Sequence, residues 1–443
     1  MNSEREMELL GSLITHKKGF AFKAADYQIS GVPVIRVSNF SGDGISKFDL
    51  KFVSEVIAEQ NMSVCLKPDD IVIATVGSWP NNPDSVVGRT ISVPEWAAGS
   101  LMNQNSVIIR AKSGCPADQM FIYYQMKSAA FSHHIISRAQ GSANQASITL
   151  ETIFSFPVWW PEASIRRETG LVLSSFDKRI NLLRETNASL ESIIQALFKS
   201  WFVDFDPVHA KMQGLGPDGM NEVTAALFPD SFEESGLGLI PKGWRTEEIG
   251  GLVETLGGGT PDTKSKEYWE PPQHYWTTPK DLSGIASPVL LATERKLSDA
   301  GVRKISSGLL PAGTLLISSR APIGYLALVQ APMAINQGYI AIPPGGSLSP
   351  LYMLFWSQIN MDQIKNRANG STFMEISKKA FRPILALVPP QELLDAFELI
   401  ASSLFSRLVE NERQVKTLTD LRNILLPRLI SGQLQIPEVK TPL

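Results

Sequence analysis

Residues 171–202 read LVLSSFDKRI NLLRETNASL ESIIQALFKS WF, with no glycine or proline among them. Apolar residues recur at alternating steps of three and four: Leu173, Phe176, Ile180 and Leu183, then Asn187, Leu190, Ile194, Leu197 and Trp201. That is the a/d seam of a coiled coil, with one polar residue near its middle. Taken back to about Ile165, the helix is on the order of 55 Å long at 1.5 Å per residue. A lone helix cannot bury such a seam, so the pattern demands a partner. The chain supplies one in Phe397, Ala401, Leu404, Leu408, Asn411, Val415, Leu418, Arg422, Leu425 and Leu429, again with a central asparagine. Leu421, beside Arg422, is expected to cover the seam where the arginine interrupts it.

Outward from the helices, the chain runs through one plan twice. Residues 1–160 alternate short apolar runs with turns, as in Val32-Pro-Val-Ile-Arg-Val37, Asp70-Ile-Val-Ile-Ala74 and Ser106-Val-Ile-Ile-Arg110. These are strand signals, with one helical stretch from Asp118 to Ser137. After the first long helix, residues 203–239 are Gly/Pro/Asp-rich and read as a connector. The plan restarts at Ile240-Pro-Lys-Gly-Trp244. Pro68-Asp-Asp-Ile-Val-Ile matches Pro311-Ala-Gly-Thr-Leu-Leu-Ile, Asn103-Gln104 matches Asn336-Gln337, and Gln140-Gly-Ser142 matches Asn369-Gly-Ser371. Matches in fixed order indicate an internal duplication. The expected architecture is α+β: two globular mixed α/β domains with twisted sheets, separated by two long antiparallel coiled-coil helices in a pseudo-twofold arrangement. The expected segments are 1–160, 161–202 (first helix), 203–239, 240–388, 389–435 (second helix) and a tail at 436–443.

The 443 residues carry a net charge of −3, 43% hydrophobic residues and two cysteines, Cys65 and Cys115. No apolar run is long enough for a membrane span, and the polar start lacks a signal peptide. A cytoplasmic chain with structural cysteines is expected. Overall acidity argues against a free-standing DNA-binding module but leaves room for local basic faces. Marks of catalysis are missing. Gly257-Gly-Gly-Thr260 lacks the Lys-Ser/Thr that completes a phosphate loop. The five histidines are scattered. Asn81-Asn-Pro-Asp84 lacks the second proline and aromatic of an amino-methyltransferase motif. No catalytic or metal-binding residue is expected.

The loops do carry nucleic-acid chemistry, because Lys and Arg reach phosphates while Asn, Gln and Arg pair with base edges. The candidates in the first half are Lys17, Lys18, Arg36, Asn39, Ser78, Trp79, Asn81, Arg89, Asn103, Gln104, Arg138, Gln140, Ser142 and Asn144. Those in the second half are Thr260, Lys264, Lys266, Trp276, Thr277, Lys280, Ser318, Ser319, Arg320, Tyr325, Asn336, Gln337, Asn369, Ser371 and Lys378. Each alone is also an ordinary solvated loop residue; recurrence in both halves singles out the Asn-Gln and Gly-Ser clusters.

Through these residues the chain resembles the specificity subunits of type I restriction–modification enzymes. Ile240-Pro-Lys-Gly-Trp244 resembles the opening of that family's target recognition domain. Gly258-Gly-Thr-Pro-Asp-Thr-Lys-Ser-Lys-Glu-Tyr-Trp269, Trp276-Thr-Thr-Pro-Lys-Asp-Leu282, Leu309 through Gly324, and Ile335-Asn-Gln-Gly-Tyr339 continue it in order. The first half diverges, with Val76-Gly-Ser-Trp79 replacing Ser-Ser-Arg-Ala-Pro-Ile-Gly. The resemblance implies a non-catalytic subunit whose two domains each read one half of a bipartite, asymmetric double-stranded DNA target. The helices would set the spacer and dock two modification subunits, which bind S-adenosylmethionine and flip an adenine out of each half-site. Restriction subunits, using ATP and Mg, would join through the complex. The competing reading is a two-domain protein scaffold that binds no DNA.

Overall fold

The computed structural model describes residues 7–41, 44–79, 87–142, 145–320, 322–369 and 374–436. Two compact units divide the chain: Met1–Ile180 with Thr417–Leu443, and Asn181–Lys416. Among the described residues, no helix is long and apolar enough to cross a membrane.

The first unit is built on a four-stranded antiparallel sheet of Ile14–Lys18, Ser106–Ala111, Ile71–Ala74 and Thr90–Ser92, in that order. All four residues of Ile71–Ala74 are buried, which is why this strand reads as a continuous apolar run rather than an alternation. A second sheet sets Val32–Ile35 between Lys51–Val53 (antiparallel) and Leu101–Met102 (parallel). The strand Met7–Leu9 pairs with Pro157–Trp159, the segment that leads into the first long helix. The helical stretch expected over Asp118–Ser137 is two helices, Pro116–Met126 and Ala129–Ile136. They part at Ser128, whose side chain leaves the helix to accept the Phe131 N–H at 3.0 Å, the usual work of an N-cap serine.

The second unit repeats this plan. Leu315–Ser318 lies between Leu326–Val329 and Tyr339–Ile342, all antiparallel, with Val289–Leu290 at the edge. His274–Thr277 is paired antiparallel with Lys296–Leu297 and parallel with Met333–Ile335. Arg245–Glu248 pairs with Leu385–Val388, again just ahead of a long helix. The duplication extends to single residues. A Cβ on Gly19 would lie 2.0 Å from the Asn103 carbonyl oxygen, and one on Gly258 would lie 1.9 Å from that of Ile335. In both halves only glycine allows the incoming loop to lie against the strand that carries the Asn-Gln pair.

The long helices are Ala163–Phe202 and Gln391–Ile430, 40 residues each. They run antiparallel: in the second unit Asn187 meets Asn411, and Phe198 meets Phe397 with ring centres 5.6 Å apart. The seam is buried at Leu173, Ile180, Leu183, Asn187, Ile194, Leu408, Asn411 and Val415. Leu190, Leu197, Leu404, Leu418 and Leu425 are half-buried. Near the end of the first helix the buried stripe passes to Phe198, Trp201 and Phe202, which pack with Tyr352 and Phe397. Leu421 does not cover the seam; it is 44% exposed. Arg422 fills the gap itself, its Nη1 donating to Asp177 Oδ1 at 2.5 Å, while the Tyr124 hydroxyl donates to Asp177 Oδ2 at 2.7 Å. Burial and the neighbouring Asp177 carboxylate push the Tyr124 hydroxyl well above the usual phenol range.

The segment 203–239 is more ordered than its composition suggests. It forms helices Asp206–Met212 and Glu222–Ala226 and a hairpin of Phe232–Ser235 with Gly238–Pro241. Val208 and Phe228 are buried in the second unit's core. Isolated apolar residues among Gly, Pro and Asp carry no periodicity, so their burial is a tertiary effect invisible to pattern reading.

Candidate nucleic-acid interface

In the second unit, the parallel pairing of His274–Thr277 with Met333–Ile335 fixes the candidate surface. The Asn336 N–H donates to the Thr277 carbonyl at 3.0 Å, and Asn336 Oδ1 accepts the Gly338 N–H at 2.9 Å, so that side chain shapes its own turn. The glycine loop is drawn in by Gly259 N–H to the Ile335 carbonyl at 3.0 Å. Thr260 then donates to Gln337 Oε1 at 2.7 Å, joining two exposed candidates. Trp276 Nε1 donates to the Gly259 carbonyl at 3.1 Å, and Trp269 Nε1 to the Asp262 carbonyl at 3.0 Å. Lys264, Lys266 and Lys280 are exposed around this loop, and the Lys378 ammonium would lie 3.4 Å from a Cβ on Gly257.

Several candidates are framework instead. Trp276, Thr277, Ser318 and Ser319 are buried. Thr277 shares a 3.0 Å hydrogen bond with the Tyr339 hydroxyl, itself raised well above the phenol range by burial. Ser318 donates to the Pro322 carbonyl and accepts the Tyr325 N–H, closing the turn after its strand. Arg320 reaches Glu375 at 3.6 Å, and Glu375 also bridges to Asn369, so the turn and the Asn369 loop are stitched together. Ser371 lies outside the described residues.

The first unit brings the matching segments together by different means. Val76–Gly77 pairs with Gln145–Ser147, and Trp79 Nε1 donates to the Ser142 carbonyl at 2.8 Å, joining Trp79 to the Gln140–Ser142 strand. Lys17, Lys18, Gln104, Arg138, Gln140 and Ser142 are exposed, and Asn103 is half-buried with its amide 3.5 Å from the Tyr27 hydroxyl. Arg138 Nη1 donates to the His134 carbonyl at 3.3 Å and Arg89 Nη1 to the Phe40 carbonyl at 3.1 Å. Asn39 and Ser78 are buried; Asn39 accepts the Arg36 N–H at 3.0 Å and donates to the Phe48 carbonyl at 3.0 Å. Arg36 is committed to Asp49, whose carboxyl lies below the usual range because Lys51 and then Arg36 hydrogen-bond to it. Asn81 and Asn144 lie outside the described residues.

Residue-type reasoning passed over Arg295, Lys296 and Lys304. The guanidinium of Arg295 lies over both Trp269 and Trp276, Lys296 over Tyr275, and Lys304 over Tyr268. Each aromatic partner is remote in sequence or across a strand pair, so no local spacing marks the contact. Among the described residues there is no cluster of three or more His, Cys, Asp or Glu side chains placed to hold a metal.

Residues 241–423 match the family model described as the type I restriction modification DNA specificity domain. The chain is also 27% identical over 328 residues to the type I restriction enzyme HindI specificity subunit of Haemophilus influenzae, covering 65% of this chain and 71% of that protein. The second half of the chain therefore carries a type I restriction modification DNA specificity domain. The MjaIX specificity subunit of Methanocaldococcus jannaschii is 36% identical over 187 residues, 41% of this chain and 42% of that protein. The fold matches the crystal structure of a type I restriction-modification system S subunit from M. genitalium. That match has a TM-score of 0.56 over 97% of each chain at 16% identity, which supports the α+β architecture with its two long helices.

Proposed function

We propose that this chain is a type I specificity subunit that reads a bipartite double-stranded DNA target, one half-site per domain, and carries no catalysis of its own. The observation that carries this is the repeated loop platform. In each half a glycine with no room for a side chain brings a polar loop against the strand that ends in Asn-Gln. Exposed Lys and Gln side chains lie at both platforms: Lys17, Lys18 and Gln104 in the first half, and Lys264, Lys266, Lys280 and Gln337 in the second. Such loops supply phosphate contacts that position and base contacts that specify. The platforms differ in sequence, so the half-sites differ and the target is asymmetric.

In this reading the long helices set the number of base pairs between half-sites and dock two modification subunits. S-adenosylmethionine belongs to those subunits, and ATP with Mg to a restriction subunit that joins through them. An acidic recognition subunit suits an assembly whose partners supply much of the phosphate contact. Methylome sequencing of cells expressing this chain with its modification subunit, against cells lacking this chain, is the test. The expected result is a bipartite, asymmetric N6-methyladenine motif that vanishes without the chain. An unchanged set of motifs, with the modification subunit active and bound, would refute the proposal.

A further inference from the structure

The second domain holds an arginine that its chemistry leaves waiting. Arg295 is exposed, and its guanidinium carbon lies 4.2 Å from the Trp269 ring centre and 4.5 Å from that of Trp276. The two rings stand 88° to one another, so the guanidinium sits in the angle between two faces. Such stacking suits the flat, delocalised guanidinium. It also fixes a side chain that otherwise gives up conformational entropy when it binds. None of the guanidinium N–H groups has a hydrogen-bond or ion-pair partner among the described residues.

The duplication shows what this position looks like when it is closed. Arg295 lies opposite Trp276, through the Trp276 N–H to Arg295 carbonyl bond at 3.1 Å. In the first domain Lys51 lies opposite Val34 in the same strand pair. There Asp49, two residues before Lys51, takes both Lys51 and Arg36 in ion pairs of 2.9 Å. Two residues before Arg295 stands Thr293, whose hydroxyl donates to the Arg295 carbonyl at 3.0 Å and offers no negative charge. One domain neutralises the position from within. The other replaces the acid with a threonine, replaces lysine with a planar fork, and props the fork on two indoles.

We propose that Arg295 is a DNA-contacting residue of the second recognition domain. Its open fork takes a pair of coplanar acceptors, either two phosphate oxygens or the O6 and N7 of a guanine. This rests on the DNA-reading function proposed above. The test uses the full chain assembled with its modification subunits and a duplex carrying the methylation-defined target, with affinity measured across a salt series. Arg295→Ala is expected to weaken binding roughly 5- to 150-fold. If the acceptors are phosphate oxygens, the loss is the same on every sequence, the salt slope falls by about one, and Arg295→Lys recovers most of the affinity. If they belong to guanine, methylation relaxes at one base pair, and Arg295→Lys stays relaxed. Arg295→Ala with wild-type affinity, salt slope and motif overturns the proposal. So does a lower melting temperature as the sole change, because the stack would then only brace the tryptophans. A wild-type complex that binds no target selectively sinks the DNA-reading function instead, which keeps the two failures apart.

Discussion

Replacing Asn187 with leucine strands more than one polar group, and the cost can be worked from its contacts. Asn187 and Asn411 are 2% and 0% exposed. Asn411 Nδ2 donates to Asn187 Oδ1 at 2.8 Å, and Asn187 Nδ2 donates to Glu412 Oε1 at 2.7 Å. Glu412 Oε1 also accepts from Ser287 at 2.7 Å, while Asn411 Oδ1 has no partner among the described residues. Asn187→Leu leaves the Asn411 amide wholly unpaired, about 1–3 kcal/mol, and takes a charge-assisted donor from Glu412, about 1.5–3 kcal/mol. The buried leucine returns about 1.5–3 kcal/mol, for a net loss of about 1–3 kcal/mol. Asn411→Leu strands only Asn187 Oδ1 and removes an oxygen already unpaired, so it should cost less than about 1 kcal/mol. The double variant should be no worse than Asn187→Leu alone, because the stranded amide has gone. Urea unfolding, with hydrogen exchange over residues 181–202, measures all three. Equal costs for the two single variants, or a double variant at their sum, would refute the reasoning. If the pair also fixes register, the double variant broadens the spacing of methylated half-sites; unchanged spacing with a monodisperse complex removes that role.

Other outcomes follow from the same contacts. Gly258→Ala and Gly19→Ala, each placing a Cβ about 2 Å from a carbonyl oxygen, should lower stability by about 1–3 kcal/mol or more. Gly259→Ala, with nothing within 4 Å of its new methyl, should be mild; urea unfolding of the three variants checks the contrast. Glu191 accepts from Gln358 at 2.9 Å, and burial raises its carboxyl above the usual range. The folded state therefore favours the protonated acid, so stability falls as pH rises from the ordinary carboxylate range through the raised value. Melting temperatures from pH 4 to 8 should show Glu191→Gln gaining on wild type with rising pH; a constant difference would contradict this. Adding about four residues to each long helix lengthens it by one turn of about 5.4 Å. Methylation mapping should then show a spacer longer by about one to two base pairs.

The long helices were legible because a 3–4 spaced apolar seam with a central asparagine suits a paired helix and little else. Arg422 was not, since its fit depends on Asp177, a residue far away in sequence. The candidate surface was legible in outline through repeated Gly and Asn-Gln signals. Trp276, Thr277, Ser318 and Ser319 have residue types that suit base contact, yet the structure buries them, a tertiary effect that residue type alone does not reveal. Parallel pairing between segments nearly sixty residues apart (His274–Thr277 with Met333–Ile335) leaves no local trace. For the same reason Arg295 passed as an ordinary surface arginine.

The helix pair has a consequence for how the chain is made. The first long helix ends at Phe202 and its partner begins at Gln391. At ~5–20 residues per second of synthesis, roughly 10–40 s pass before the first residues of the second helix exist. Throughout that interval Ile194, Phe198 and Trp201 lack the side chains of the second helix that will cover them. The nascent chain thus offers a sticky apolar stripe, and its yield in a cell depends on what shields that stripe until the ribosome finishes.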